Sequence, residues 1–151
     1  MLVDFQQALA DLTASPDLCN AVRDDALVLQ GRYQLSERET RRLLAIVHHP
    51  GMACACTLYR VNRLAPLAMN LRATLQALGP ELRRLVSDYW AEHPQGHAHF
   101  FIETERFCSW LGERIGASED LPSEVAQALA IEAAAVRMAL AESRTEDRPL
   151  H

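Results

Sequence analysis

Apolar residues recur along the chain at three- and four-residue spacing. No run of four or more alternating or β-branched residues bounded by turn signals reads as a strand. The pattern predicts an all-α fold, a compact single-domain bundle of about six to seven helices. Leu2, Phe5, Leu9 and Leu12 predict an amphipathic helix over 2–13. Ser15-Pro16 restarts the chain, with Ser as N-cap and Pro at the first helical position. The helix that follows, over 16–30, buries Leu18, Val22 and Leu29, has a potential break at Asp24-Asp25 and ends at Gly31. Ser36 and Glu39 have the spacing of a capping box, and Leu43, Leu44, Ile46 and Val47 form the apolar stripe of a helix running to His48.

Pro50-Gly51 stops that helix and another starts near Met52. Pro66 has no amide hydrogen, so the stretch from Met52 to Leu78 reads as kinked, or as two helices meeting near Leu64-Ala65. Its second part buries Leu67, Leu71, Leu75 and Leu78. Gly79-Pro80 is a further stop and start, followed by Leu82, Leu85, Val86 and Tyr89 at helical spacing. His93 to His99 reads as a turn, and Phe100, Phe107, Leu111 and Ile115 support a helix over 99–115 ended by Gly116. Pro122 opens a last helix to about Ser143. It has Val125, Leu129, Val136 and Leu140 on one side and Ile131 and Met138 on another. Such a wide apolar surface needs more than one neighbour, and part of it can serve a partner. The expected organisation is a helical domain over 1–143 and a flexible tail over 144–151.

Composition agrees with a packed domain. The 151 residues are 49% hydrophobic, and a chain of this length can bury roughly 70% of its unfolded surface. No apolar run has the length of a spanning helix, and Met1 to Ala10 carries Asp4, Gln6 and Gln7 where a signal peptide is apolar. A cytoplasmic protein without a membrane role is expected. Cys19, Cys54, Cys56 and Cys108 form no dense framework and read as reduced thiols. The net charge of −5 argues against a general polyanion binder. Its distribution is uneven: residues 1–31 hold one Arg and five Asp, residues 32–84 nine Arg and three Glu, and residues 85–151 five Arg and twelve acids. Every basic residue besides His is Arg. Base composition accounts for that, as does a need for forked contacts to carboxylate or phosphate.

Candidate chemistry is sparse. Cys54-Ala55-Cys56 beside His48 and His49, and the run containing His93, His97 and His99, are the metal candidates. Two cysteines two apart on a helix point about 200° away from each other and cannot grip one ion. His97 and His99 chelate only if the backbone is extended, and a surface turn with solvated histidines is the simpler reading. No nucleophile elbow, phosphate loop, dinucleotide fingerprint or H-E-x-x-H motif is present. No catalytic residue and no metal ligand is expected, although an activated Cys56 thiolate remains an alternative.

The arginines carry more information. On the helix from Met52, a 100° advance per residue sets Leu58, Val61 and Ala65 within about 40° of Cys54, the expected buried face. Tyr59, Arg60, Arg63 and Cys56 then point outward, and exposed Tyr with Arg is a pairing enriched in binding hot spots. On the preceding helix Arg38, Arg41 and Arg42 lie opposite Leu43, with Glu37 placed to pair with Arg41 at i, i+4. A solvated surface explains both faces. If they adjoin, an acidic peptide, an acidic protein or a phosphate backbone can dock there.

At Tyr59-Arg60-Val61-Asn62-Arg63-Leu64, followed by Leu67, Leu71, Thr74, Leu75 and the Leu85–Trp90 helix, the chain resembles a known family. Its members are small helical proteins described as DNA-binding domains that accompany multinuclear iron oxidases with a TIM-barrel fold. The resemblance is nearest to the partner subunits of methanobactin-type and thiaglutamate-type enzyme pairs, and it covers roughly residues 36–115. It implies a non-catalytic subunit. A barrel partner holds the iron and oxidises cysteine in a ribosomally made precursor peptide, while this chain stabilises the barrel in a heterodimer and helps capture the peptide. It implies no cofactor in this chain, and with it the outward-facing Tyr59, Arg60, Arg63, Arg38, Arg41 and Arg42 become the residues expected to bind the partner or peptide. The methanobactin-type partners are longer and carry a strand-bearing recognition portion. With no strands expected here, binding in a groove between helices replaces strand addition. The alternatives are a DNA-binding regulator, disfavoured by charge and by the lack of a helix-turn-helix signature, and a helical adaptor without a peptide substrate.

Overall fold

The computed structural model describes residues 2–117 and 120–146, and among these it is all-α. Among the described residues nine α-helices are formed: α1 Leu2–Ala14, α2 Pro16–Asp24, α3 Leu27–Arg32, α4 Glu37–His48, α5 Gly51–Asn70, α6 Arg72–Leu78, α7 Leu82–Glu92, α8 Phe100–Gly116 and α9 Ser123–Glu146. A 3-10 turn over Gly79–Glu81 precedes α7. The chain divides into two compact units, Met1–Asn62 and Arg63–His151, with the boundary inside α5.

Local chemistry sets most helix ends. Ser15 is extended and its hydroxyl accepts from Leu18 N, as the Ser-Pro pair predicts. Asp25 is extended and stops α2, and its carboxylate accepts from Leu27 N at 2.9 Å to start α3. The potential break at Asp24-Asp25 is therefore real, whereas Gly31 lies inside α3. Ser36 and Glu39 close a full capping box at the start of α4, and the two Ser36 bonds hold the Glu39 carboxyl below its ordinary range. Gly79 has φ +50°, a conformation that side chains resist, which makes the sharp reversal after α6 possible.

At Pro66 the expected alternative of two helices meeting near Leu64-Ala65 does not hold. α5 continues through it to Asn70 and the interruption falls at Leu71, whose backbone leaves the helical region. A proline removes a single bond, here to residue 62, and Asn62 is exposed. The Asn70 side chain then takes the Pro66 carbonyl at 2.8 Å and ends the helix. Of the tail expected over 144–151, residues 144–146 fall within α9, and residues 147–151 lie outside the described residues.

Each unit has its own core. In the first, α1, α2, α3 and α4 bury Ala8, Leu12, Leu18, Val22, Leu29, Leu43 and Val47, joined by Met52 and Cys56 from the start of α5. In the second, Leu67, Leu71, Leu78, Leu85, Val86, Phe107, Leu111 and Val125 surround Tyr89 and Trp110. α9 packs on α6 and α8 through Val125, Leu129, Ala133 and Val136, leaving Ile131 and Met138 exposed. It also carries the cap that α6 lacks locally. The Glu132 carboxylate accepts from Ala73 N, Thr74 N and the Thr74 hydroxyl at 2.9, 2.9 and 2.7 Å. The negative charge thereby sits at the positive end of the helix. Replacing Glu132 with Ala is expected to cost about 1–2 kcal/mol of stability, read as a lowered urea midpoint with an unchanged slope.

Candidate functional site

The outer face of α4 is basic. Arg38, Arg41 and Arg42 are exposed, and among the described residues none makes an ion pair or side-chain hydrogen bond. The i, i+4 partner expected for Arg41 does not engage it. Instead, Glu39, the nearest acid in sequence, is occupied by Ser36 through its amide and hydroxyl at 2.8 and 2.7 Å. Along the same face, Ala45 and His49 follow at helical spacing and enter an apolar groove of about 490 Å³, completed by Ile46, Gly51, Met52 and Ala55. Three like charges within two turns therefore lead into an apolar trough, all within the first unit.

α5 is turned the other way from its expected orientation. Leu58 and Val61 are 61% and 54% exposed and Cys54 is exposed, while Met52, Cys56, Arg63 and Leu67 are buried. Tyr59 and Arg60 are half-buried, and Ala65 is half-buried too. The opposite placement of Cys54 and Cys56 follows from their spacing; which of them faces inward does not.

Arg63 is the largest single departure from the expected orientation. It is 5% exposed and Glu103, on α8, is 1% exposed. Arg63 Nε donates to Glu103 Oε1 at 2.8 Å, and Nη2 lies 2.8 Å from the same oxygen as an ion-pair contact. Nη1 donates to the carbonyls of His93 at 2.6 Å and Pro94 at 3.3 Å. The second carboxylate oxygen of Glu103 accepts from His97 N at 2.8 Å. The pair thus ties down both ends of the irregular segment before α8. Gly96 packs flat on Arg63, since a Cβ there would lie 2.9 Å from its Cδ and Nε. The guanidinium also lies 5.4 Å from the centre of the Tyr89 ring, which stacks on His93 at 4.9 Å. Burial and the charge of Glu103 push the Tyr89 hydroxyl up to about 12, against the opposing pull of Arg63. Tyr89 Oη and His93 Nδ1 are buried there without a hydrogen bond.

The histidines serve their own backbone. His97 Nδ1 accepts from His99 N at 3.0 Å, and His49 Nδ1 accepts from Gly51 N at 3.0 Å. Among the described residues no group of three or more His, Cys, Asp or Glu is placed to hold a metal ion. No described helix is long and apolar enough to cross a membrane. The four cysteines are free, with Cys19, Cys56 and Cys108 buried.

Arg63 thus leaves the surface group to which its helical angle assigned it. Arg38, Arg41 and Arg42 keep their exposed positions, and Tyr59 and Arg60 are intermediate. The Arg63–Glu103 pair was missed by sequence reasoning, although one signal for it existed. Glu103 lies at i−4 and i−8 from Phe107 and Leu111, on the buried face of α8. Comparison with protein-family models, curated proteins and solved structures finds no match to this chain.

Removing either partner of the Arg63–Glu103 pair leaves the other charge buried and alone. Arg63→Ala or Glu103→Ala is therefore expected to destabilise the second unit by roughly 3–5 kcal/mol. The double replacement Arg63→Met with Glu103→Leu should cost less than the sum of the single changes, measured by chemical denaturation as a double-mutant cycle.

Proposed function

We propose that this chain is a non-catalytic partner subunit of a multinuclear iron oxidase acting on cysteine in a ribosomally made precursor peptide. Its α4 face receives an acidic segment of that peptide. The observation that carries the reading is the exposed set Arg38, Arg41 and Arg42, which form no ion pair among the described residues and are continuous with the apolar groove at Ala45, Ile46 and Met52. Neighbouring like charges on a helix repel one another, and a carboxylate-bearing partner relieves that repulsion while gaining forked contacts. The adjoining groove suits apolar side chains that follow the acidic ones, in the manner of a segment laid between helices. The link to an oxidase rests on the resemblance at Tyr59 to Leu64. Within that motif Arg63 has a folding role, so the binding assignment moves to α4. Iron and catalysis belong to the barrel partner in this reading.

Co-expression with an adjacent barrel oxidase is expected to give a stable heterodimer by size-exclusion chromatography with light scattering, with iron present only when the barrel is present. In the same complex, replacing Arg38, Arg41 and Arg42 with Glu should weaken precursor-peptide binding at least tenfold, or about 1.4 kcal/mol. Helicity should stay constant, and wild-type affinity should fall as salt rises. Unchanged peptide affinity would remove α4 from the site. Failure to form the heterodimer, together with steeply salt-dependent binding of duplex DNA, would favour the regulator that the same basic face also permits.

A further inference from the structure

Leu12 lies four residues before Pro16, and a proline has no amide hydrogen to give to its carbonyl. Two thiols fill the vacancy. Cys19 Sγ, on α2, donates to Leu12 O at 3.0 Å, and Cys56 Sγ, on α5, donates to the same oxygen at 3.5 Å. Both sulfurs converge on one acceptor, within the first unit. Both cysteines also line a pocket of about 250 Å³ whose polar wall is Asn20, Arg23, Thr57 and Arg60. Arg23 is fixed beside it by donating to Val47 O at 3.0 Å and Asn20 Oδ1 at 3.1 Å. The pocket has room for a small reagent, and Arg23 favours negative charge on the Cys19 sulfur.

We infer that Cys19 and Cys56 form a dithiol site that a small peroxide oxidises to an intramolecular disulfide joining α2 to α5. One sulfur, as thiolate, bonds to a peroxide oxygen while the O–O bond breaks, and the released hydroxide takes up a proton and leaves as water. The second thiol loses its proton and attacks the resulting sulfenic sulfur. The S–S bond forms, the S–O bond breaks, and the expelled hydroxide leaves as a second water with that proton. The two thiols lose two electrons and the peroxide gains them. Burial and the neighbouring Cys56 push the Cys19 thiol up to about 11, with Arg23 pulling the other way, so the resting Cys19 carries its proton. The disulfide also takes both donors from Leu12 O, leaving that carbonyl without a partner. The oxidised form is therefore readily reversed by thiols.

Cys108 supplies an internal control: it is buried, it lines a groove between α8 and α9, and burial pushes it up to about 12. The other three cysteines belong to the first unit. The test uses the full chain carrying Cys54→Ser, which removes the exposed thiol that would link two molecules. Hydrogen peroxide is added in equimolar amount and the unreduced protein is digested and mapped by mass spectrometry. The expected product is a Cys19–Cys56 cross-linked peptide lacking two hydrogens. It should form at least about tenfold faster than Cys108 is oxidised and be restored by dithiothreitol. Adding Cys56→Ser, which keeps a hydroxyl donor for Leu12 O, should leave a sulfenic acid on Cys19 that a dimedone-type probe traps. Oxidation of Cys19 and Cys56 without the cross-link, or no faster than at Cys108, overturns the proposal.

Discussion

The buried ion pair between Arg63 and Glu103 is the constraint on which the second unit is organised. Two charges removed from water are tolerable only when they are paired and hydrogen-bonded, and here every polar atom of the pair is bonded except Arg63 Nη2, which the ion-pair contact alone holds. Glu103 holds the guanidinium with one oxygen and the His97 amide with the other, while Arg63 also takes two carbonyls of the same segment. A stretch with no helical hydrogen bonds of its own is thereby given a definite path between α7 and α8. Gly96 follows from that path, because the Arg63 side chain occupies the space a Cβ would need. The aromatic core of Tyr89, Phe107 and Trp110 meets Arg63 through Tyr89, which is in contact with both other rings.

The first unit solves a smaller version of the same problem. Pro16 starts α2 well but deprives Leu12 of its amide donor, and the two thiols that replace it bring cysteines from separate helices together. A local helix signal thus produces a tertiary pairing whose chemistry differs from the cause that placed it. The basic face of α4 has the opposite origin. Its capping box ties Glu39 to Ser36, and among the described residues neither Glu37 nor Glu39 forms an ion pair with the arginines of the first two turns. The polar face can then engage something outside the chain.

The helix starts and stops were legible because they depend on neighbours in sequence: Ser15-Pro16, Ser36 with Glu39, Asp25, and Gly79 each act within about one turn. The inner stripes of α4, α7 and the first side of α9 were legible too, since their apolar residues outnumber the alternatives on one face. α5 was misread for a physical reason. Periodicity assigns Arg outward and Leu and Val inward, and there the chain does the reverse: Arg63 is buried with an acid forty positions away while Leu58 and Val61 remain exposed.

What the sequence by itself determined is therefore the all-α class, most helix boundaries and the exposure of Arg38, Arg41 and Arg42, all consequences of short-range spacing and capping. Only the tertiary structure decided which face of α5 is inner, how α6 is capped by Glu132, and which thiols meet. Those outcomes depend on partners from distant parts of the chain. The free energy of burying Arg63 or satisfying Leu12 O is not a property of either residue alone; it arises when Glu103, Cys19 and Cys56 arrive.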